Sequence, residues 1–309
     1  MILTQNLTKR YGRMIAVDEL NLSVQRQTVF GLVGENGAGK TSALSMLATL
    51  STPTSGRAYI NGHEISRYPR EVRQSIGYMP DSFGVYDGLT VTEYLRFFAD
   101  CYDVNKRVVQ RRTMDLLERV QLTDKRDTYV NALSRGMQQR LEIARCLMHD
   151  PDVLILDEPA SGLDPKSRLD MRGVLQGLRD MGKTILISTH ILHDLAEVAD
   201  EIGILRKGEM VAVAAIQVML EHSNAYRTLR LRGDVADESL ERLLAQDKQV
   251  LQVDKKENGW EVLYAGTARQ QAMLLTSIVQ AGIHLTEFAE RPTDIEQLFL
   301  RLSAVQEGM

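Results

Sequence analysis

The chain has 309 residues, 44% of them hydrophobic and 25% charged, which allows one large globular domain plus a small one. Its net charge of −4 argues against nucleic acid as a main partner, because phosphate-binding surfaces usually show a basic excess. Two distant cysteines favour a reducing compartment. Because the sequence shows neither a signal peptide nor a run of roughly 18 apolar residues, we expect no direct membrane insertion.

The first element with chemical content is an apolar strand at residues 29–33, followed by the loop GENGAGKT at residues 34–41. The loop fits G-x-x-x-x-G-K-[ST] and precedes a helical pattern, so backbone N–H groups and a helix N-terminus converge on one anion site. Lys40 would bind the β- and γ-phosphates, and the Thr41 hydroxyl would ligate Mg²⁺. The alternative is a glycine-rich turn with a solvated lysine. The other predicted ATP contacts in this loop are Asn36, Gly37, Ala38, Gly39 and Ser42.

A mostly helical segment follows at about residues 87–150, with apolar residues at helical spacing in Met114, Leu117 and Val120. We interpret it as a helical subdomain inserted before the next core strand. Across about the first 215 residues, apolar strands alternate with helical patterns. That alternation predicts an α/β fold with a largely parallel sheet.

The next core strand, at residues 153–156, ends in two carboxylates. Carboxylates are costly to bury without a partner, so their position indicates a use for the charge. Asp157 is placed to hold Mg²⁺, and Glu158 to accept a proton from an attacking water. A solvated loop start is the alternative. Another strand, residues 184–189, ends at His190, which taken alone would more often be structural than catalytic.

The pattern changes again after about residue 220, and we divide the chain into domains at residues 1–220 and 221–309. The second part reads β-α-β-β-α-β plus a terminal helix, which predicts a small α+β, ferredoxin-like domain. A capping box of Thr293 and Glu296 would start the terminal helix. Regulation, dimerisation and bracing of the first domain all stay open as roles for this domain. The apolar face of the terminal helix would consist of Ile295, Leu298, Phe299 and Leu302.

Residues 133–140, LSRGMQQR, lie just before the helix that leads to the acidic strand. Together with the phosphate loop and the acidic strand they resemble the ATP-binding cassette (ABC) ATPases, whose LSGGQ signature takes this form in many exporter-type subunits. The resemblance covers about the first 215 residues. It implies a P-loop NTPase core with an inserted helical subdomain, and a dimer in which two copies, or one copy and a paralogous ATPase, enclose two ATP molecules.

The resemblance also implies roles for single residues. Tyr11 matches the aromatic residue that stacks on adenine, although alone it would be read as a packing residue. Ser134 and Gly136 match the signature that reaches the partner's γ-phosphate, and Asp164 matches the loop that couples the two sites. His190 matches the switch histidine, which makes Lys40, Glu158 and His190 the expected catalytic set.

The sequence departs from the family pattern at three positions. Asp81 stands where the family usually has glutamine, and we include it with Thr41 and Asp157 in the expected Mg²⁺ site. Arg135 replaces a glycine, where its cation can bind phosphate or face solvent. Met137 replaces a glutamine and removes polar contacts.

The signature form, residues 79–95 and the C-terminal extension are similar to drug-, lipid- or polysaccharide-exporter ATPases. This similarity implies a cytoplasmic subunit held at the inner face of the membrane by a separate transmembrane permease. Two alternatives stay open: an importer subunit, and a soluble ABC ATPase that acts on ribosomes or DNA. The sequence names neither the permease nor the transported molecule, because that pocket lies in another chain.

Overall fold

The computed structural model describes residues 1–82, 84, 88–191, 195, 197–218, 226–233, 237–256 and 259–291. The chain divides into two compact units, Met1–Ile216 and Gln217–Met309. The predicted domain boundary at residues 220/221, the predicted subdomain start at Asp87 and the predicted terminal helix lie outside the described residues. No helix in the described ranges is both long and apolar enough to span a membrane.

A six-stranded sheet forms the centre of the first unit. Its strand order is β11-β10-β4-β9-β8-β7, with β11 antiparallel to β10 and every other pair parallel. The inner strands are buried along their whole length because both faces of the sheet are covered, which explains their continuous apolar sequences. The strands are β4 (Val29–Val33), β7 (Ile76–Met79), β8 (Val153–Asp157), β9 (Thr184–Thr189), β10 (Glu201–Arg206) and β11 (Glu209–Ala215).

A second, antiparallel sheet packs into the same unit in the order β2-β1-β5-β6, with β3 paired to β1. It shares one apolar core with the central sheet, in which Ile2 and Ile60 lie together with Phe30 and Ile155. Its strands are half-exposed and interrupted by register shifts, so their sequence pattern is weaker than that of the central strands. They are β1 (Ile2–Tyr11), β2 (Met14–Leu20), β3 (Ser23–Val24), β5 (Ser55–Ile60) and β6 (His63–Glu64).

Side-chain caps define the starts of the helices in the predicted helical segment. Thr90 and Glu93 form a capping box, Asn105 caps the next helix, and the Ser134 hydroxyl accepts from the backbone N–H of Met137. Each cap satisfies N–H groups that an α-helix leaves unpaired. The helices of the first unit are α1 (Lys40–Leu47), α2 (Pro69–Ser75), α3 (Val91–Cys101), α4 (Lys106–Arg119), α5 (Arg135–Cys146) and α6 (Pro165–Asp180).

The second unit has its own antiparallel sheet, in the order β13-β14-β12-β15, and two helices. Its core includes Leu229, Leu231, Leu240, Trp260 and Ile278. The described elements follow one another in the β-α-β-β-α-β order that the sequence predicts. They are β12 (Arg227–Gly233), α7 (Asp237–Gln246), β13 (Val250–Lys256), β14 (Gly259–Tyr264), α8 (Ala268–Gln280) and β15 (Leu285–Arg291).

Glycine at position 77 lets α5 approach β7 closely. A Cβ at Gly77 would lie 2.6 Å from the carbonyl oxygen of Cys146, so we expect Gly77→Ala to destabilise the protein by about 1 to 3 kcal/mol. A Cβ at Gly173, inside α6, would meet nothing within 4 Å. Gly173→Ala should therefore stabilise by about 0.5 to 1 kcal/mol. Urea unfolding followed by circular dichroism measures both changes, and the same sign for both would contradict this packing.

Candidate functional site

The loop between β4 and α1 contains two glycines in a backbone conformation that any other residue would adopt only with strain. Gly37 has φ 85° and Gly39 has φ 106°, both in the left-handed region. A Cβ at Gly39 would lie 2.1 Å from the carbonyl oxygen of Ala16 in β2, and one at Gly34 would lie 2.3 Å from that of Leu205. The loop is therefore held tightly against neighbouring strands.

Lys40 begins α1 and is almost fully buried, with 5% of its surface exposed. Its Nζ donates to the carbonyl oxygens of Gly34 at 2.6 Å and Glu35 at 3.2 Å, and lies 3.3 Å from Oε1 of Glu158. No side chain caps the start of α1. The first backbone N–H groups of the helix are therefore free to bind an anion beside the ammonium group. They include those of Thr41 and Ser42.

Glu158 directly follows β8 and carries the other half of this buried ion pair. Its Oε2 is 2.8 Å from Nδ1 of His190, so the carboxylate lies between a lysine and a histidine. Its φ of 50° is unusual for glutamate, and its backbone N–H donates to the Ser188 hydroxyl at 3.0 Å. Backbone held in a sparsely populated conformation clusters at functional sites. The turn directs this carboxylate towards Lys40.

Asp157 is fully buried at the end of β8. Its Oδ1 accepts from the Ser188 hydroxyl, whereas Oδ2 has no hydrogen-bond partner within the described structure. Burial raises the pKa of Asp157 and the charges of Asp81 and Glu158 add to this, while the hydroxyls of Ser188 and Thr41 act in the opposite direction. A buried carboxylate with a free oxygen and other anions nearby is stabilised by a cation.

The residues present fit Mg²⁺. Thr41, Asp157 and Asp81 offer only oxygen ligands, which this ion prefers, and the ion is commonly held by one or two carboxylates plus substrate phosphates. The described residues contain no group of three or more His, Cys, Asp or Glu side chains that could hold a metal ion. The free Oδ2 of Asp157 provides one oxygen for such a site.

Asp81 lies two residues beyond β7 and is exposed. Because β7 pairs in parallel with β8, with Met79 opposite Leu156, Asp81 and Asp157 follow the same edge of the sheet. The pKa of Tyr78 is raised to about 12 by burial, with contributions from the charges of Asp157 and Asp81. The two carboxylates are therefore close enough to act on the same neighbours.

Ser188 is a site residue that the sequence analysis does not identify. Its hydroxyl donates to Asp157 and accepts from the backbone N–H of Glu158, so one side chain of β9 positions both acidic residues at the end of β8. The available signal was a buried polar residue near the end of an otherwise apolar strand, two positions before His190. Only the strand order β9-β8 makes that signal specific, because it places Ser188 opposite Asp157.

Tyr11 lies at the end of β1, opposite Met14 of β2, and 47% of its surface is exposed. The ammonium group of Lys9 is 5.0 Å from the centre of its ring. Since β2 also packs on the phosphate loop through Ala16, this hairpin lies against the loop. An exposed ring there is available to stack on a flat base, in keeping with the predicted role.

The signature residues form a second group at the starts of α5 and α6. A Cβ at Gly136 would lie 2.9 Å from the side chain of Ser167, whose hydroxyl donates to Asp164 at 2.6 Å. The guanidinium of Arg135 packs over Gly162. Within the described residues, the side chains of Ser134 and Asp164 hydrogen-bond only inside their own helix starts, so these two residues do not bond to the Lys40 and Glu158 group.

Comparison with known proteins gives the family. The ABC transporter family model matches residues 17–161. Nod factor export ATP-binding protein I of Ralstonia nicotianae is 33% identical over 97% of this chain and 92% of its own length. The chain belongs to the ABC transporter family. The probable multidrug ABC transporter ATP-binding protein YbhF of Escherichia coli is 37% identical over 69% of this chain and 36% of its own length.

Solved ABC cassettes share the fold. The ATP-binding subunit of an ABC transporter superposes with a TM-score of 0.64 at 28% identity, over 72% of this chain and 92% of that one. A dimeric ATP-binding cassette in a post-hydrolysis state, bound to ADP and Pi, superposes with a TM-score of 0.63 at 25% identity. The match covers 70% of this chain and 99% of that one. The present chain is an exporter-type ABC ATP-binding subunit and an ATPase. The predicted family and P-loop core are confirmed, whereas the roles of single site residues stay predictions.

Asp157→Asn tests whether the buried carboxylate destabilises the fold. Because burial raises the pKa of Asp157, the folded state binds this proton more tightly than the unfolded chain does. The ionised group therefore lowers stability at neutral pH, and the loss disappears as pH falls below the pKa of the unfolded chain. We expect the variant to melt roughly 2 °C higher at pH 7, and the difference to shrink towards about pH 4.

Differential scanning calorimetry without nucleotide or metal measures this effect. Asp152→Asn is the matched control, because Asp152 precedes the same strand but is exposed. A variant that melts below the wild type at pH 7, or a difference that grows on acidification, would contradict the assignment.

Proposed function

We propose that this subunit pairs with a second copy of itself or with a paralogous ATPase, encloses two Mg-ATP and drives export through a separate transmembrane permease. The observation that carries the proposal is the position of Glu158. Its carboxylate lies between Lys40 at 3.3 Å and His190 at 2.8 Å, directly after Asp157. A lysine for phosphate, a metal-binding carboxylate and a base at one sheet edge make a hydrolytic site.

The Lys40–Glu158 pair gives the site a way to respond to nucleotide. A triphosphate offers Lys40 stronger anionic partners than one carboxylate and two carbonyl oxygens. Glu158 would then be released from the lysine and stay hydrogen-bonded to His190. In hydrolysis Glu158 takes a proton from the attacking water, whose oxygen forms a bond to the γ-phosphorus. The bond between the γ-phosphorus and the oxygen that bridges it to the β-phosphate breaks, which leaves ADP and phosphate. Mg²⁺, held by Thr41, Asp157 and Asp81, would neutralise phosphate charge.

The proposal of a dimer is supported by the separate position of the signature group. Ser134 and Asp164 are exposed, and they do not bond to the Lys40 group of the same chain. A related cassette was solved as a dimer bound to ADP and Pi. In our proposal Ser134 and Gly136 of one copy face the phosphates bound by the other, and Tyr11 stacks on the adenine.

The relatives that match nearly the whole chain support the proposed direction of transport and the proposed location of the subunit. Several are export ATP-binding proteins that match 97% of this chain, C-terminal part included. We therefore place the subunit in the cytoplasm, at the inner face of the membrane and attached through the permease. The transported molecule is recognised in that other chain.

We expect Glu158→Gln to keep ATP affinity within about threefold and to lose at least about 100-fold in kcat, the contribution of a general base. With Mg-ATP it should elute as a dimer, whereas Lys40→Ala should stay monomeric because it lacks the phosphate cation. Steady-state ATPase assays and size-exclusion chromatography with light scattering measure both. Glu118→Gln, on the exposed side of α4, is the control. Turnover of Glu158→Gln at the wild-type rate would reject the proposed base.

The permease is tested by affinity purification of tagged Glu158→Gln from detergent-solubilised membranes with Mg-ATP, followed by mass spectrometry. A stoichiometric multi-spanning partner is the expected result, and Lys40→Ala serves as the comparison. Recovery of a soluble dimer alone, or of ribosomal or DNA-bound material, would reject the transporter assignment while leaving the ATPase activity intact.

A further inference from the structure

The strand that leads to Asp81 is an edge strand whose outer carbonyl groups are bound by side chains. Among the described strands, β7 pairs with β8 alone. On the other side, Nη2 of Arg145 donates to the carbonyl oxygen of Tyr78 at 2.7 Å, and Nε2 of His149 lies 2.9 Å from that of Ile76. Tyr78 and Ile76 are two residues apart, so both carbonyl groups point to the same edge. Arg145 and His149 thus occupy the place of a further strand.

Arg145 is held in a fixed orientation by a buried carboxylate. Its Nε donates to Oε2 of Glu142 at 2.7 Å, and Oε1 of Glu142 accepts from the Tyr94 hydroxyl. The guanidinium carbon lies 5.1 Å from the centre of the Phe98 ring. The side chains of Glu142 and Arg145 are only 3% and 12% exposed. A planar guanidinium makes these contacts simultaneously, which a lysine cannot do.

Aromatic residues of α3 and of its C-terminal end contact Glu142, Arg145 and His149. Tyr94 binds Glu142, Phe98 covers Arg145, and the Tyr102 ring, just past the end of the helix, stacks on His149 with 3.9 Å between centres and 12° between planes. These aromatic residues are spaced four apart and share one side of the helix. We call Glu142, Arg145 and His149 the β7 clip. It joins α3 to the edge of the strand that ends two residues before Asp81.

Stability alone does not account for a buried ion pair here. Replacing such pairs with apolar residues of similar volume is often neutral or stabilising, so this pair is better explained by the orientation that it gives to the Arg145 guanidinium. The geometry fixed by the clip is that of Tyr78, three residues before Asp81. From this arrangement we infer that the β7 clip, braced by Tyr94, positions Asp81 for the metal site. The inference rests on the proposed role of Asp81 in binding Mg²⁺.

The test uses two variants. Tyr94→Phe removes only the hydroxyl donor to Glu142, and Arg145→Lys keeps the charge but loses the planar guanidinium that donates to Glu142 and Tyr78 together. The first readout needs neither metal nor turnover: amide hydrogen exchange of peptides covering residues 76–82, measured by mass spectrometry without nucleotide. Both variants should raise the exchange rate there about fivefold or more. Tyr129→Phe is the matched control, because this tyrosine is exposed and lies outside the clip.

The second readout is the Mg²⁺ concentration for half-maximal ATPase activity, compared with the affinity for ATP in EDTA. Tyr94→Phe should raise the Mg²⁺ requirement about fivefold and change ATP affinity in EDTA less than twofold. Since the clip acts through Asp81, Tyr94→Phe added to Asp81→Asn should raise the requirement no further than Asp81→Asn alone.

The outcomes separate this inference from the proposed function. If Asp81→Asn raises the Mg²⁺ requirement while Tyr94→Phe and Arg145→Lys leave both readouts unchanged, the clip has no positioning role and the metal site stands. If the two single effects add in the double variant, the clip does not act through Asp81 and the inference falls. If Asp81→Asn has no effect on the Mg²⁺ requirement, the proposed metal role fails, and this inference fails with it.

Discussion

An ammonium group and a carboxylate are buried against each other where the central sheet ends, and the site is arranged around that pair. Lys40 and Glu158 are each less than a tenth exposed, and each has a second set of partners, carbonyl oxygens for Lys40 and His190 for Glu158. Removing one partner of a buried pair leaves an uncompensated charge, which costs several kcal/mol. An incoming triphosphate is the kind of ligand that can separate such a pair, because it supplies the compensating charge. The interaction that holds the site together is therefore also the one that ATP would change.

The parallel strands bring these groups together. β4 leads to Lys40, β8 ends at Asp157 and Glu158, and β9 brings Ser188 and His190 alongside. In open α/β sheets the carboxyl ends of the strands form the ligand crevice. The cost of this arrangement is visible at Asp157, because burial raises its pKa and its Oδ2 has no hydrogen-bond partner among the described residues. The proposed metal role of Asp157 would therefore oppose stability, a conflict that is common in active sites.

Much of this arrangement could be predicted because each motif occurs beside the strand that carries it. The phosphate loop, the signature and the acidic strand end are each a short continuous segment of the sequence, so they can be recognised without the structure. Their order along the chain predicted the α/β core and the family. The antiparallel strands β1, β2 and β5 of the first unit were not predicted, since half-exposed strands with register shifts lack continuous apolar runs. Ser188 was missed for a different reason: its role depends on which strand lies next to β9, and strand order is not written in local sequence. The Lys40–Glu158 pair, between residues 118 positions apart, is equally a product of topology.

Helix α5 contacts both β7 and the loop that follows β8, and so links the ends of these two strands. Its first turn carries the signature. One turn on, Nε2 of Gln139 donates to the carbonyl oxygen of Ser161, three residues after Glu158, and near its end Arg145 donates to that of Tyr78, three residues before Asp81. Strand β7 and the loop after β8 are thus bound to the same helix through its side chains. A shift of α5 would therefore move β7 and the loop after β8 together, and with them Asp81 and Glu158. The polar residues along its buried face are therefore better explained by that geometric requirement than by their contribution to stability.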